Sequence, residues 1–409
     1  MSEKLNAPKI TYYNFLMKKI KPQLLLVYIG LFFYFLLSVI FLIQKSKIGT
    51  DYAISEMIIN YTGGFSRRGL LGQVFYFLHT FFNFNLTNII VFFQIIFSGL
   101  FTLVLFFLFK KLKDKINKFD VFILFLPTLL FYPLYELEAL GRKEMLVFIS
   151  FAFLVLQGNN KNLLITLTYS LLILPLIVFT WELLVFYLPF YFIVFYIQYN
   201  VKTFKESLKI FLIFVPTITF FIMIWLNPID FEGHKVMCET IKCSGHGAEW
   251  FLINVNTDFD FWIHEKASLL NYFRYFVFLI LSLCPFYIFS LNSLIKKNNL
   301  FLLEKFRYFH HVLLILFLCP ILIYLFALDW GRWTNIFITL AYLLMIFFRT
   351  GDLVKNIELQ IFDKISNLYV GGIFFVYCLS WNPKLLLWDD TGSLPTLRLI
   401  IKSIKLLIY

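Results

Sequence analysis

Two short stretches of an otherwise apolar chain combine charged side chains with glycine. The first, GGFSRRGLLG (residues 63–72), places Arg67 and Arg68 after two glycines and before an apolar run. Arginine forms bidentate hydrogen bonds with phosphate, and the start of a helix adds unpaired N–H groups and a favourable dipole. Phosphate binding is therefore one interpretation of this pair. The other is that both side chains snorkel to lipid headgroups.

The second stretch, ALDWGRWTN (residues 327–335), brings two aromatic rings next to opposite charges. Asp329 and Arg332 are three residues apart, so they share a face if the turn is helical. Trp330 and Trp333 flank this pair. The pattern predicts a sugar platform beside a phosphate-binding arginine, with Asp329 as a candidate catalytic carboxylate. An interfacial tryptophan belt with one ion pair is the alternative.

Other candidates are ionisable residues in apolar surroundings. Arg142 and Lys143 lie in YELEALGRKEM (residues 135–145), where we predict that they bind substrate, although a salt-bridged turn explains them too. Glu182 is a lone carboxylate in FTWELLVF, and Asp51 precedes the arginine pair. Because ionisable groups are costly at membrane depth, they are functional candidates by default. We therefore add Glu182 to the candidate catalytic carboxylates, and we add Asp51 because it lies in the same loop as the arginines, where it can act as a general base.

Composition determines the class of protein that carries these residues. The chain of 409 residues is 60% hydrophobic and 15% charged, with a mean hydropathy of +0.81, whereas soluble domains are about 25% charged. Along the chain, apolar runs recur whose length is close to the roughly 20 residues that a membrane-crossing helix needs. We predict an all-α, polytopic membrane protein with about 11 spans, within a range of 10–12. The predicted spans are 23–43, 88–109, 120–135, 145–158, 163–180, 183–199, 210–226, 275–291, 312–328, 335–348 and 368–382.

The charge distribution predicts the orientation. Lysine and arginine of later connecting segments concentrate on the side of the N-terminus, which the positive-inside rule makes cytoplasmic. This excess explains the net charge of +12, so the charge does not indicate nucleic-acid binding. We predict one transmembrane domain, 1–409, in a bacterial inner membrane. Its outer parts are the segments 44–87 and 227–274 and the tail 383–409, and the candidate residues above lie on this outer side.

Two of these outer parts contain predicted helices that do not cross. In the segment 44–87, the apolar run after Arg68 is too short to span and predicts an interfacial or re-entrant helix. Glu56, like Asp51, serves there either as a general base or as an ion-pair partner of the arginines. The terminal LRLIIKSIKLLIY predicts an amphipathic helix on the outer leaflet, with a weak twelfth crossing as the alternative.

Two cysteines lie close together in the longer outer segment. Cys238 and Cys243 in CETIKC predict a disulfide if the segment faces an oxidising compartment. Nearby His234 and His246 leave a metal site open as an alternative, but the spacing matches no zinc pattern, and free thiols remain a third interpretation. We predict no metal site. Walker and dinucleotide-binding motifs are absent from the sequence.

The architecture, together with GGFSRRGLLG and DWGRW, resembles the bacterial O-antigen polymerases of surface-polysaccharide synthesis. The resemblance implies joining of oligosaccharide repeat units carried on undecaprenyl diphosphate, at the periplasmic face. It implies no cofactor, and it implies lipid-linked oligosaccharide, membrane lipids and a chain-length regulator protein as partners. The residues that would stabilise the leaving diphosphate are Arg67, Arg68, Arg142 and Arg332. Those that would deprotonate the acceptor hydroxyl are Asp51, Glu182 or Asp329.

Two alternatives differ in chemistry. The segment after the first span also resembles GT-C fold glycosyltransferases, which take a sugar from a polyprenyl phosphate. That alternative makes Asp51 indispensable and allows a divalent metal. A lipid-linked sugar flippase or transporter would need charged groups along the spans from side to side, whereas the sequence shows few charges within them.

Overall fold

The structure is a computed structural model that describes most of the chain. The described residues are 21–48, 52–241, 268–296, 300, 302–327, 329–356, 372, 376–386, 392–393 and 395–408. Two predicted site residues, Asp51 and Cys243, lie outside them. So do residues 242–267 of the longer outer segment and much of the predicted span 368–382.

Helices form nearly all of the regular structure. Six of the described helices are long and apolar enough to cross a membrane by length and composition, so the chain is an all-α, multi-pass membrane protein. The count of eleven stays a prediction. The six are Pro22–Lys47, Leu86–Leu112, Leu163–Thr180, Phe204–Leu226, Leu269–Leu291 and Trp330–Thr350. The shorter apolar helices are Gly69–Phe82, Met145–Gln157, Glu182–Gln198 and Phe309–Leu318.

The remaining elements are short, apart from one C-terminal helix. They comprise the α-helices Tyr52–Ile58, Lys118–Leu124, Tyr132–Tyr135, Phe231–Ile241, Ile321–Phe326 and Pro395–Ile408, and the 3-10 turns Leu137–Ala139 and Leu303–Lys305. Two antiparallel strand pairs complete the described structure: Ser293–Ile295 with Val354–Asn356, and Trp381–Asn382 with Gly392–Ser393.

Two predicted spans are interrupted. The predicted span 120–135 is a short helix, Lys118–Leu124, followed by turns around Pro127. The predicted span 312–328 is divided at Pro320. Proline lacks the N–H that an inner helical position donates, and it disfavours helical backbone in the residue before it. Apolar length alone could not reveal these breaks.

The helix Trp330–Thr350 is the centre of the bundle. Its most apolar window is buried throughout, although it has the lowest mean hydropathy of the six long helices, 1.4. It packs against Met145–Gln157, Leu188–Gln198 and Leu269–Asn292, among others. It also begins five residues before the predicted span 335–348, so Arg332 lies in its first turns. The charged start of this helix is therefore inside the protein.

The opposite end of the central helix has its own buried ion pair. Arg349 binds Asp120, whose side chain is buried, and donates a second hydrogen bond to the carbonyl of Lys115. Lys115 forms an exposed ion pair with Asp352 at 2.6 Å. Because these charges neutralise each other in pairs, we assign this end of the helix a structural role.

A close glycine contact explains part of the GGFSRRGLLG stretch. The helix Phe231–Ile241 packs on this loop so closely that a Cβ on Gly63 would collide with the carbonyl oxygen of Gly233. Next to the contact, Met237 and Ile59 are buried against each other. Cys238 of this helix is disulfide-bonded. The longer outer segment therefore packs directly on the loop that leads to Arg67 and Arg68.

We expect Gly63→Ala to destabilise the protein by about 1–3 kcal/mol, the usual cost of forcing extra atoms into a packed contact. Gly99→Ala is the matched control, because a Cβ there meets only the ring edge of Phe35 at 3.2 Å. Thermal unfolding of both purified variants in detergent measures the difference. Equal unfolding temperatures for the two would contradict the close contact with Gly233.

Candidate functional site

Nine charged residues from distant parts of the chain meet at the Trp330 end of the central helix. We call them the charge cluster. Most of their side chains are buried, and salt bridges, a hydrogen bond or charge attraction over longer distances connect them. The charge cluster consists of Glu56, Arg67, Arg68, Arg142, Lys143, Glu144, Glu182, Asp329 and Arg332.

Arg68 points into the protein and away from lipid. Its Nε atom donates to both carboxylate oxygens of Glu182 at 2.9 Å, and its Nη1 atom lies 3.1 Å from Oε1 of Glu56. Its backbone is left-handed, with φ 63°, and the buried ammonium of Lys143 donates to its carbonyl at 2.8 Å. The side chain of Arg68 therefore does not snorkel to lipid headgroups.

Glu56 occupies the middle of the charge cluster. It is 2% exposed, and its carboxylate lies 3.6 Å from Nη1 of Arg142 and 3.8 Å from Nη2 of Arg332, in addition to the contact with Arg68. Burial opposes its ionisation, but the neighbouring cations outweigh burial and lower the pKa of Glu56. Glu56 is therefore a carboxylate that holds three guanidiniums together.

Arg332 connects the central helix to the rest of the charge cluster. Its Nε atom donates to Glu144, and its Nη1 atom donates to Oδ2 of Asp329 at 3.0 Å. The Asp329 side chain is 22% exposed, whereas those of Glu56, Glu144 and Glu182 are at most 6% exposed. Asp329 is thus the carboxylate of the charge cluster that a bound molecule can reach.

The charge cluster carries more positive than negative groups. Arg67, Arg68, Arg142, Lys143 and Arg332 outnumber the four carboxylates by one. Among the described residues, the buried Nη1 of Arg142 and Nη2 of Arg332 have no hydrogen-bond acceptor, although each lies within ion-pair distance of Glu56. An excess of cations with unused donors is the arrangement expected of an anion-binding site.

The two tryptophans of ALDWGRWTN have different positions. Trp330 is partly exposed, lies 5.5 Å from the ring of Tyr272, and donates through Nε1 to the carbonyl of Tyr324 at 2.9 Å. Trp333 is 2% exposed, and the guanidinium of Arg332 lies 4.9 Å from its ring. Burial leaves Trp333 no face for a sugar, so of the predicted pair only Trp330 remains a candidate platform.

An apolar groove of 790 Å³ adjoins the charge cluster. The helix Gly69–Phe82 forms one wall, and its lining residue Leu70 follows Arg68 by two positions. On the other wall, Thr180 precedes Glu182, the partner of Arg68, by two positions. The groove therefore has one end close to the charge cluster, although its lining residues do not include members of the cluster.

The groove is long enough for a lipid chain. The lining extends from Thr180, at the last residue of the helical segment Leu163–Thr180, to Leu164 near its first residue, and it also includes Gln157. Eighteen residues of helix rise about 27 Å, which approaches the roughly 30 Å thickness of the hydrocarbon core. Most of the lining side chains are apolar, and none is charged.

The sequence-predicted residues converge, with some changes of role. Arg68, Arg142, Lys143, Glu182 and Arg332 all lie in the charge cluster, as does Asp329. Arg67 is close enough to Glu182 for their charges to attract. No group of three or more metal-ligating side chains occurs in the part of the chain that the structure describes.

Glu144 and Tyr52 were not predicted as site residues, and Glu56 was predicted only as a general base or an ion-pair partner. Glu144 lies within YELEALGRKEM, but its sequence neighbours gave no indication that it binds Arg332. Glu56 was one of two acidic candidates in the first outer segment, and its central place could not be read from spacing. The ring of Tyr52 lies 4.7 Å from the guanidinium of Arg142. The one signal for this contact in the sequence is that Tyr52 precedes Glu56 by four residues, the spacing that places two side chains on the same face of a helix.

The buried Lys143 predicts a pH dependence of stability. Burial is the largest effect and lowers the pKa of Lys143 from its usual 10.5 to about 8, against the attraction of Glu56. Between these two pH values the unfolded chain binds more protons than the folded protein, so stability rises with pH there. We expect Lys143→Met to remove this rise. Unfolding temperatures of both proteins from pH 7 to 10.5 test it, and parallel curves would contradict it.

Comparisons of the chain with models of known protein families, with curated proteins and with solved structures find no match. Function must be inferred from the chain's own residues.

Proposed function

We propose that the protein transfers sugar from a lipid-linked phosphate donor at the outer face of a bacterial inner membrane. One observation carries this proposal: a buried charge cluster with excess cations and unused arginine donors lies near one end of an apolar groove. A phosphate joined to a long hydrocarbon chain matches both parts at once. A soluble anion would have no use for the groove, and an ordinary lipid would not need so many arginines.

The chemistry follows from the exposed and buried members of the charge cluster. The hydroxyl of the acceptor sugar attacks the anomeric carbon of the donor, Asp329 accepts its proton, and the bond from that carbon to the phosphate oxygen breaks. The lipid phosphate leaves with the electron pair. Arg68, Arg142 and Arg332 stabilise its developing charge, where preorganised donors have their largest effect. Glu56, Glu144 and Glu182 fix the arginines before substrate arrives.

The specific form that we propose is a polymerase of polysaccharide repeat units carried on undecaprenyl diphosphate. It is supported by the resemblance of GGFSRRGLLG and DWGRW to stretches of O-antigen polymerases, and by several arginines in one site, which suit a diphosphate better than a single phosphate. Trp330 beside Asp329 offers an aromatic face for the acceptor sugar.

The test is product length in a defined reaction. Purified protein is incubated with a single undecaprenyl-diphosphate-linked oligosaccharide, and products are separated on a gel. In the host, deletion of the gene is complemented with the unsubstituted protein or with the Arg67→Ala variant. A ladder of repeat units in both settings supports polymerisation, and surface polysaccharide unchanged by the deletion would refute it.

A GT-C type glycosyltransferase is the second candidate. It is favoured by the helix Gly69–Phe82 between the first two long helices, whose exposed side resembles the surface helix of that fold. The same reaction discriminates the two, because a single-sugar transferase extends its acceptor by one unit with no ladder. The GT-C alternative also requires Asp51, so that Asp51→Asn abolishes transfer.

A further inference from the structure

A second basic group lies where the C-terminal helix meets the bundle. The helix Pro395–Ile408 is anchored by the buried Leu399 and by a 3.1 Å hydrogen bond between the hydroxyls of Tyr135 and Thr396. Next to this anchored face, a stripe at helical spacing is about half exposed. The stripe consists of Leu397, Ile400, Ile401 and Ile404. In a membrane protein, such a stripe rests in the lipid interface.

A third face of this helix is cationic. Arg398 and Lys402 are four residues apart, so they share a face, and together with Glu136 and Asn382 they line a cavity about the size of one water. Lys384 adds a third cation, with Nζ 3.1 Å from Oε1 of Glu136. Burial lowers the pKa of Lys402, and the charge of Lys384 lowers it further. Three cations therefore lie around one carboxylate, next to the exposed apolar stripe.

The backbone of this group is fixed to the start of the central helix. The Tyr275 hydroxyl donates to the carbonyl of Lys384 at 3.1 Å and also to that of Leu386. Gly331, between Trp330 and Arg332, packs so closely on the Lys384 carbonyl that a Cβ would collide with it. The second basic group and the charge cluster are thus connected by a direct contact between Lys384 and Gly331.

We propose that Lys384, Arg398 and Lys402 bind the phosphate of an anionic lipid, separately from the charge cluster. The exposed apolar stripe receives the hydrocarbon chain, and Glu136 neutralises one of the three positive charges and orients Lys384. Two lipids share this chemistry: an ordinary anionic phospholipid, and the second lipid-linked substrate that a polymerase joins to the first. The second of these lipids, a lipid-linked substrate, rests on the proposed function.

The experiment counts lipids bound to the full chain. The protein in phosphatidylcholine nanodiscs is titrated with undecaprenyl diphosphate or with phosphatidylglycerol, and bound lipid is counted by native mass spectrometry. The variant Arg398→Gln with Lys402→Gln leaves the Lys384–Glu136 ion pair intact, and both substituted side chains are exposed. Lys47→Gln, an exposed lysine at the end of the first helix, is the control.

We expect the double variant to lose one bound lipid per chain, with affinity lower by about five-fold for each cation removed. Loss for both lipids assigns the site to anionic phospholipid in general, and loss for undecaprenyl diphosphate alone assigns it to a second substrate. Unchanged lipid count and affinity, or an equal loss in Lys47→Gln, would overturn the proposal. Because binding is measured without transfer, an inactive protein with an intact second site contradicts only the proposed function.

Discussion

Arg332→Lys is expected to lower sugar transfer at least about 100-fold, the loss typical of removing one donor to a developing negative charge. Lysine keeps the charge but cannot donate to Glu144 and Asp329 through a planar fork. Some stability is lost as well, since breaking a buried ion pair completely costs about 3–5 kcal/mol. Transfer is therefore expressed per folded molecule, with folding followed by size exclusion and thermal unfolding.

The same helix supplies the control for that measurement. Arg349→Lys changes an equally buried, ion-paired arginine at the opposite end, beside Asp120. We expect a comparable loss of stability with transfer per folded molecule unchanged. Equal losses of transfer in both variants would mean that Arg332 acts only through the fold, and would remove it from the site.

Asp329→Asn is expected to reduce transfer by about 10²–10⁴-fold, the range for loss of a general base. The change is isosteric and the side chain is partly exposed, so the folded protein should be nearly as abundant as without the substitution. Asp352→Asn is the matched control, because Asp352 is an exposed carboxylate with a lysine partner at the other end of the bundle.

Glu182→Gln gives the contrast that assigns the base. Glu182 is buried and holds Arg68 through both carboxylate oxygens, so its loss should lower stability and the affinity for lipid phosphate. If Glu182→Gln abolished the chemical step and Asp329→Asn did not, the roles of the two carboxylates would be exchanged. Rates at saturating lipid substrate separate these outcomes from weakened binding.

The membrane-helical class followed from composition, because hydrocarbon selects long apolar helices. The first long helix, for example, extends only a few residues beyond the predicted 23–43. The broken stretch around Pro127 was not predicted, since buried turns are as apolar as spans and differ only in how their backbone groups are paired. Apolar length therefore does not distinguish a continuous helix from one that turns interrupt.

The sequence predicted which residues belong to the charge cluster better than it predicted how they contact one another. Charge in apolar surroundings marked Arg142, Glu182 and Arg332 because each needs a partner when buried. Which partner each one finds depends on packing between residues as much as 188 positions apart, as for Glu144 and Arg332. Trp333 is the converse case. Its residue type indicated a platform for sugar, but its side chain is buried and packs against Arg332 instead.

The central helix has a consequence for how the protein is made. Arg332 and Arg349 at its two ends bind Glu144 and Asp120, which precede them by 188 and 229 positions. Both partners have thus left the ribosome long before the helix appears, and the helix itself is the least hydrophobic of the six. We expect insertion of this helix to depend on the earlier segments that supply its counter-charges, so Glu144→Gln or Asp120→Asn should first reduce the amount of protein integrated into the membrane.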